Sequence, residues 1–437
     1  MHQKRSLSRR GFLKRAGALA LGGVAAPTII PASALGADGT VAPSNRLVYG
    51  AIGTGGRGTS DLKSIMSKEG VQAVAVCDVD ARRRAKARHL IEERYADRSP
   101  HGKWSGCVEY SDFRQLLARD DIDVVSISTP DHWHTLIAVA AARAGKDIYC
   151  QKPLTLTIQE GRIMSDTVAR YGRVLQVGSQ QRSDRDFRFA CELVRNGRIG
   201  QLEHIEVGLP VGSQHDVVSP QPVPSHFDYN MWLGPAPYTP YHEERCHYNF
   251  RFHFDYSGGR PTDWGAHHCD IAHWAMGTDT TGPVQVEGQG VFPDNGPFNT
   301  SITYRFVATY QDGVRMICSS EFERGVRFVG QEGWIFISRD ELKASPQKLL
   351  GSVIGPNEIH LYESTSHSGN FLECVRTRRE PVASVEVGHR SISVPHLGNI
   401  SMRLGRKIRW DPDREVILDD PEAQRMTSRP MRSPWHL

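Results

Sequence analysis

The eight cysteines never fall into a C-x-x-C spacing, which excludes a zinc ribbon or a thioredoxin-type site. Cys77 and Cys150 close apolar runs and read as buried thiols. No apolar run is long enough to span a bilayer, so the mature protein is expected to be soluble, with no transmembrane segment. The formal charge of +4 is not a field that nucleic acid would recognise. Six of the 53 bases lie in residues 1–34, which carry no acid, and the remaining 47 face all 49 acids. A nucleic-acid partner is therefore not expected. Internal repeats and low-complexity segments are absent. What is there is 437 residues, 39% hydrophobic and 23% charged, which suits a globular chain of two domains.

Residues 1–34 read as an export signal. Arg9 and Arg10 stand ahead of an apolar segment, Ala16 to Ile30, and Ala32-Ser33-Ala34 offers small residues for cleavage. A short membrane anchor or a disordered tail is the plainer alternative. Export by the twin-arginine route would place the protein in the periplasm or otherwise outside the cytoplasm.

From Leu47 the pattern is strand, glycine turn, helix. Gly53, Gly55 and Gly58 make G-x-G-x-x-G, one glycine for the tight turn, one for approach to pyrophosphate, one for helix-on-strand packing. Arg57 lies inside the motif and counts among the cofactor-binding candidates. A second strand ends in Asp78, whose carboxylate would accept from the adenosine ribose and repel a 2′-phosphate. That favours NAD over NADP, although Arg82, Arg83 and Arg84 follow closely. On the plainer reading Asp78 only begins a turn. Further strand–helix units over 122–180 imply a parallel, doubly wound sheet, with ligands beyond the C-terminal strand ends. Thr129, His134, Lys152 and Gln180 all follow apolar strands and are placed on the cofactor side.

GAIGTGGRG, STPDHWH, AGKDIYCQKPLT and TDWGAHHCDIAHW together resemble the glucose–fructose oxidoreductase/inositol dehydrogenase (Gfo/Idh/MocA) family, and the C-terminal SGNFLECVRTRREPVASVEVGHRS and HLGNISMRLGRKIRWDP resemble its twin-arginine-exported bacterial members. The resemblance covers essentially the whole chain. It implies an N-terminal Rossmann domain at 45–180, a C-terminal α/β domain at 181–410 with a large, mainly antiparallel open sheet, an extension over 411–437, and a homo-oligomer. The family's E-K-P lysine lies near the nicotinamide, and that role carries over to Lys152, often beside a cis proline. Gln151 departs from the family's glutamate.

Beyond residue 200 a Pro-, His- and Tyr-rich stretch over 213–256 has little periodicity, which marks a functional loop or lid. A helix is expected from an N-cap at Thr262 to about Gly277. Asp263, His267 and Asp270 share one face of it, and a histidine oriented by a carboxylate can take a hydroxyl proton. The family's lysine–aspartate–histidine set maps onto Lys152, Asp263 and His267. Arg182, Asp270, His268, Tyr248 and Arg251 are substrate-binding candidates. His242, Glu243, Cys246 and His247 upstream match no recognised zinc pattern, and no metal is expected. Alternating runs after Gly282 read as strands of one sheet, with helices at Asn370–Arg378 and Val387–Lys407 returning to it.

The expected function is NAD-dependent oxidation of a hydroxyl on a sugar, cyclitol or glycoside, with the cofactor tightly held. Twin-arginine export moves folded proteins, so a nicotinamide carried outside must be returned to its starting state in each turnover. The alternative is a redox-neutral glycosidase or lyase working through a transient keto-sugar. A non-catalytic sugar-binding relative is the reading from another class.

Overall fold

The computed structural model describes residues 45–96 and 106–437. The expected export signal lies outside them.

Short apolar runs rich in β-branched residues make the first sheet: β1 (Leu47–Ile52), β2 (Val71–Cys77), β3 (Val108–Tyr110), β4 (Val124–Ile127), β5 (Asp147–Cys150) and β6 (Leu175–Val177). All adjacent pairs are parallel, in the order β3-β2-β1-β4-β5-β6. This is the doubly wound order, with helices covering both faces. Continuous burial along β4 and β5 is what such coverage requires.

The second sheet has nine strands in the order β13-β12-β11-β7-β10-β9-β8-β14-β15. They are β7 (Leu202–Gly208), β8 (Gln285–Val291), β9 (Thr303–Thr309), β10 (Arg315–Ser319), β11 (Gly325–Gly330), β12 (Gly333–Ile337), β13 (Leu342–Ser345), β14 (Ile408–Asp411) and β15 (Val416–Leu418). Only β7 and β10 pair in parallel. Alternating burial along β9 leaves one face open, while the other packs on the helices Arg260–Met276 and Val385–Leu404. Because β14 and β15 belong to this sheet, the chain past residue 410 still contributes to it.

The helix expected from Thr262 begins earlier, at Arg260, with Gly259 as its N-cap and Pro261 in its first turn. Proline loses nothing there, because the first-turn N–H groups have no helical acceptor. It ends at left-handed Gly277, whose N–H reaches the His273 carbonyl at 2.8 Å. Almost every residue of this helix is buried, so its polar groups must find partners inside the protein. The two later helices run over His367–Thr377 and Val385–Leu404, each starting two or three residues before the periodicity suggests.

The aperiodic stretch 213–256 crosses back to the first sheet. Ala81 N donates to His226 O at 2.9 Å and Asp228 N to Val79 O at 3.0 Å, on either side of the bridge Asp80–Phe227. The C-terminal residues fasten it from the other side. Arg432 Nε donates to Gly234 O at 2.9 Å, and Trp435 packs edge-on against Trp133.

Candidate active site

The C-terminal ends of the parallel strands form one wall of a cavity of about 940 Å³, and the Arg260–Met276 helix with the crossing segment forms the other. A pocket of this size suits a cofactor with its substrate.

The glycine turn is built for a dinucleotide. Gly53 has φ +81°, and a Cβ there would lie 2.7 Å from the Ser128 backbone. A Cβ on Gly58 would lie 1.8 Å from Gly53 O, so helix and strand can approach only without a side chain. Gly55 is the N-cap of the Gly56–Met66 helix, which aims its free N–H groups at the cavity. Asp78, after β2, accepts from Thr54 N at 2.7 Å and Asp80 N at 2.9 Å. Burial raises its pKa against those bonds. It lines the cavity, where a ribose hydroxyl would find it. The residues fit NAD.

Arg57 lines the same wall and pairs with Asp61 at 2.7 Å. Asp61 Oδ2 also accepts from Ser128 Oγ at 2.9 Å and from Gln151 Nε2 at 2.8 Å. That contact gives the physical reason for glutamine before Lys152. A carboxylate at 151 would face the buried Asp61, whereas an amide donates to it.

Lys152 follows β5, and the Lys152–Pro153 bond is cis. Its Nζ donates to Asp263 Oδ1 at 2.7 Å and to Asp263 O at 2.9 Å. Asp263 Oδ2 takes Arg251 Nη1 at 2.8 Å and Arg260 Nη1 at 2.9 Å. Despite burial, Lys152 and Arg251 hold the Asp263 carboxyl well below the usual carboxylate range. His267 lies one turn further along the helix and lines the cavity. Burial, then the charges of Lys152 and Arg339, push its pKa well down and keep it neutral. Its Nδ1 is buried without a partner. The expectation that a carboxylate orients this histidine is corrected: both Asp263 oxygens are taken by cations, so Asp263 orients the lysine.

Thr129, Gln180, Tyr248 and Arg251 line the cavity. Gln180 is fixed by Tyr149 Oη at 2.9 Å, and the Arg251 guanidinium lies 4.2 Å from the Tyr248 ring centre. Four other expectations are corrected. His134 sits between Pro153 O at 2.8 Å and Thr129 O at 2.9 Å, joining the two strand-end loops rather than facing the cofactor space. Arg182 and Asp270 form a buried ion pair at 2.8 Å, which Asp279 extends at 2.6 Å. Each is 2% exposed or less, so the pair cannot greet a substrate. His268 Nδ1 meets Gly208 O at 2.9 Å and ties the helix to β7. The positions of His268 and Asp270 on a cavity-facing helix suggested a site, but the helix is buried all round. Among the described residues no three metal-ligating side chains come together. All eight cysteines are buried and free.

Three residues were not singled out by the sequence. Asp131 opens the Asp131–Arg143 helix immediately after β4 and lines the cavity while only 2% exposed. Burial, reinforced by Asp263, pushes its carboxyl up to about 7 against the opposing charges of Lys152 and Arg251. Its place in STPDHWH, directly past a strand end, was the available signal. Arg260 sits on the helix that carries Asp263. Arg339 comes from the turn after β12, where nothing local marks it.

Residues 47–179 match the oxidoreductase family's NAD-binding Rossmann fold, and residues 210–437 match its C-terminal alpha/beta domain. The chain belongs to the Gfo/Idh/MocA oxidoreductase family. Its N-terminal domain is thereby an NAD-binding domain. An alpha-N-acetylgalactosaminidase of Shewanella oneidensis is 32% identical over 213 residues, which is 46% of this chain and 45% of that protein. A glycosyl hydrolase family 109 protein of Shewanella sp. (strain ANA-3) matches equally, at 32% over 213 residues. The aligned part spans less than half the length of these relatives. Among solved structures, the WlbA dehydrogenase from Bordetella pertussis, in complex with NADH and UDP-GlcNAcA, has a TM-score of 0.62 at 16% identity. That similarity covers 84% of this chain and 99% of that one. The aldose-aldose oxidoreductase from Caulobacter crescentus has a TM-score of 0.60 at 20% identity, over 83% of this chain and 99% of its own. At these identities the likeness is one of fold.

Proposed function

We propose that this protein oxidises a hydroxyl of a sugar, cyclitol or glycoside with a tightly held NAD. The observation that carries this reading is Lys152 fixed at 2.7 Å from Asp263, beside neutral His267, in one cavity with the Gly53–Gly58 turn and Asp78. NAD, when bound, supplies the hydride acceptor. Lys152 places an ammonium where the alkoxide of a reacting hydroxyl would form and lowers its energy electrostatically. His267, kept neutral, can accept the hydroxyl proton, a role worth about 10²–10⁴ in rate. Tight retention is supported by the segment fastened at Val79 and Ala81, next to Asp78, and held from behind by Arg432.

A second reading, redox-neutral glycoside cleavage, is favoured by the likeness to the Shewanella oneidensis alpha-N-acetylgalactosaminidase. In it, oxidation of a ring carbinol gives a ketone that acidifies the neighbouring C–H. Loss of the glycosidic group, water addition and re-reduction return the cofactor to its starting state. Twin-arginine export to the periplasm belongs to the same proposal, resting on Arg9, Arg10 and the apolar segment after them. So does homo-oligomerisation, for which the open face of the nine-stranded sheet is available.

The test is to denature the purified protein and assay released NAD(H), then to incubate native protein with a glycoside panel in heavy water, with and without added NAD. Turnover without added cofactor and with deuterium beside the oxidised carbon supports cleavage. A stable keto product and strict dependence on external NAD make the protein a simple dehydrogenase with exchanging cofactor.

A further inference from the structure

One cation in the cavity wall is left without a carboxylate partner. Six cationic side chains line it: Lys152, Arg251 and Arg260 share Asp263, Arg57 pairs with Asp61 and Arg83 lies 3.9 Å from Asp80, which leaves Arg339 unpaired among the described residues.

Arg339 stands beside a further cation, Arg324, which lies outside the cavity wall. β11 and β12 form a hairpin in which Val326 pairs with Ile337. Arg324 directly precedes β11 and Arg339 is two residues past β12, so both stand at its open end. Both guanidinium groups rest on the same indole: Arg339 lies 4.9 Å and Arg324 5.0 Å from the Trp264 ring centre. Trp264 follows Asp263 directly, and its ring is 6.1 Å from that of His267. Arg324 has a loose, exposed pairing with Asp340 at 3.6 Å. Arg339 has no ion pair or hydrogen bond among the described residues, and its largest electrostatic neighbours are cations, Arg324 and Arg57. The indole face attracts both guanidinium groups but offers their N–H donors no hydrogen-bond acceptor. A planar guanidinium aimed into a substrate cavity with no carboxylate to meet it suits an oxyanion, which it binds through two parallel N–H bonds.

We propose that Arg339, supported by Arg324 and positioned by Trp264, binds a carboxylate or sulfate substituent on the sugar, so that the substrate class is acidic rather than neutral. The inference rests on the sugar-oxidation reading and narrows it. Because Arg339 rests on the Trp264 indole at 4.9 Å, and that ring lies 6.1 Å from the His267 ring, the substituent would dock on the His267 side of the cavity, near the reacting hydroxyl.

Isothermal titration of the full-length protein with methyl β-D-glucuronide, glucose 6-sulfate and methyl β-D-glucoside tests this, with nicotinamide absorbance followed in parallel. At least one acidic sugar should bind about tenfold to a hundredfold more tightly than the neutral one, the range for a hydrogen bond to a charged group. Arg339→Gln should remove that preference. The glucuronide and sulfate arms show which oxyanion is taken. No preference, including no binding by either acidic sugar, overturns the proposal. So does a preference that survives in both Arg339→Gln and the Arg324→Gln/Arg339→Gln double variant. Arg339-dependent binding with unchanged nicotinamide absorbance upholds the acidic site and counts only against net oxidation of that sugar.

Discussion

Lys152 Nζ meets both the side chain and the main chain of Asp263, at 2.7 Å from Oδ1 and 2.9 Å from the carbonyl oxygen. Two contacts to one residue fix the ammonium in direction as well as distance, and they do so across the junction between the two sheets. Asp263→Asn should therefore release Lys152, Arg251 and Arg260 together. The three cations keep 17–18% of their side-chain surface, so the loss should fall somewhat below the ~3–5 kcal/mol typical of breaking a buried pair. Urea unfolding measures it. The same carboxyl, held below its ordinary value, contributes stability that is present above about pH 4 and lost on acidification. Asp263→Asn should flatten that acid limb.

The roles given to Lys152 and His267 predict a separation of binding from chemistry. Lys152→Ala and His267→Ala should each lower turnover by about 10²–10⁴ and leave a folded protein that still contains NAD. Single-turnover kinetics beside an assay of released cofactor checks both. Near-normal turnover in either variant would withdraw that residue from the mechanism.

Asp61 and Gln151 form a dependent pair. Gln151→Glu places a second carboxylate 2.8 Å from Asp61 Oδ2, where the amide now donates. Asp61 already has its pKa raised by burial, so the added charge should cost about 1–3 kcal/mol. Asp61→Asn in the same chain should restore most of it, a coupling that a double-mutant cycle in thermal unfolding reads directly.

Asp78 holds the glycine turn through Thr54 N and faces the cofactor space. Asp78→Ala should weaken NAD binding and narrow the gap to NADP, since the ribose acceptor and the repelling charge go together. Equal affinities before and after, for both cofactors, would reject the assignment.

The Rossmann half was legible because its signals are local: apolar strands, Gly53 and Gly58 at their turns, and chemistry at strand ends. Lys152 and Asp263 were likewise marked by position. The errors on the Arg260–Met276 helix share one cause. A helix face read from spacing shows which residues are neighbours on the helix, not what lies opposite. Asp263, His267 and Asp270 share a face, yet Asp270 meets buried Arg182 while His267 meets the cavity. Residues such as Arg339 and the Gln151–Asp61 contact depend on approaches between distant segments that no local pattern encodes. The segment 213–256 was recognisable as unusual, but its anchoring at Val79 and Ala81 is a matter of backbone bonds.

Asp131 offers the sharpest pH test. Its carboxyl is buried at the start of a helix, facing Lys152, Arg251 and Asp263, and is pushed up from 3.8 to about 7. Between those values the folded protein binds a proton that the unfolded chain has released. Stability must therefore fall as pH rises through that window, by up to ~1.4 kcal/mol per pH unit. Glu160, also buried and raised to about 7, adds a slope of the same sign, so the wild-type curve alone does not isolate either group. Asp131→Asn keeps the size and removes the ionisation. The variant should match wild type near pH 4 and become progressively more stable relative to it up to about pH 7, with a constant difference above. Thermal unfolding of both proteins from pH 4 to pH 8 gives the comparison. A difference that stays flat across that range would mean that the Asp131 carboxylate is as well solvated in the folded protein as in the unfolded chain.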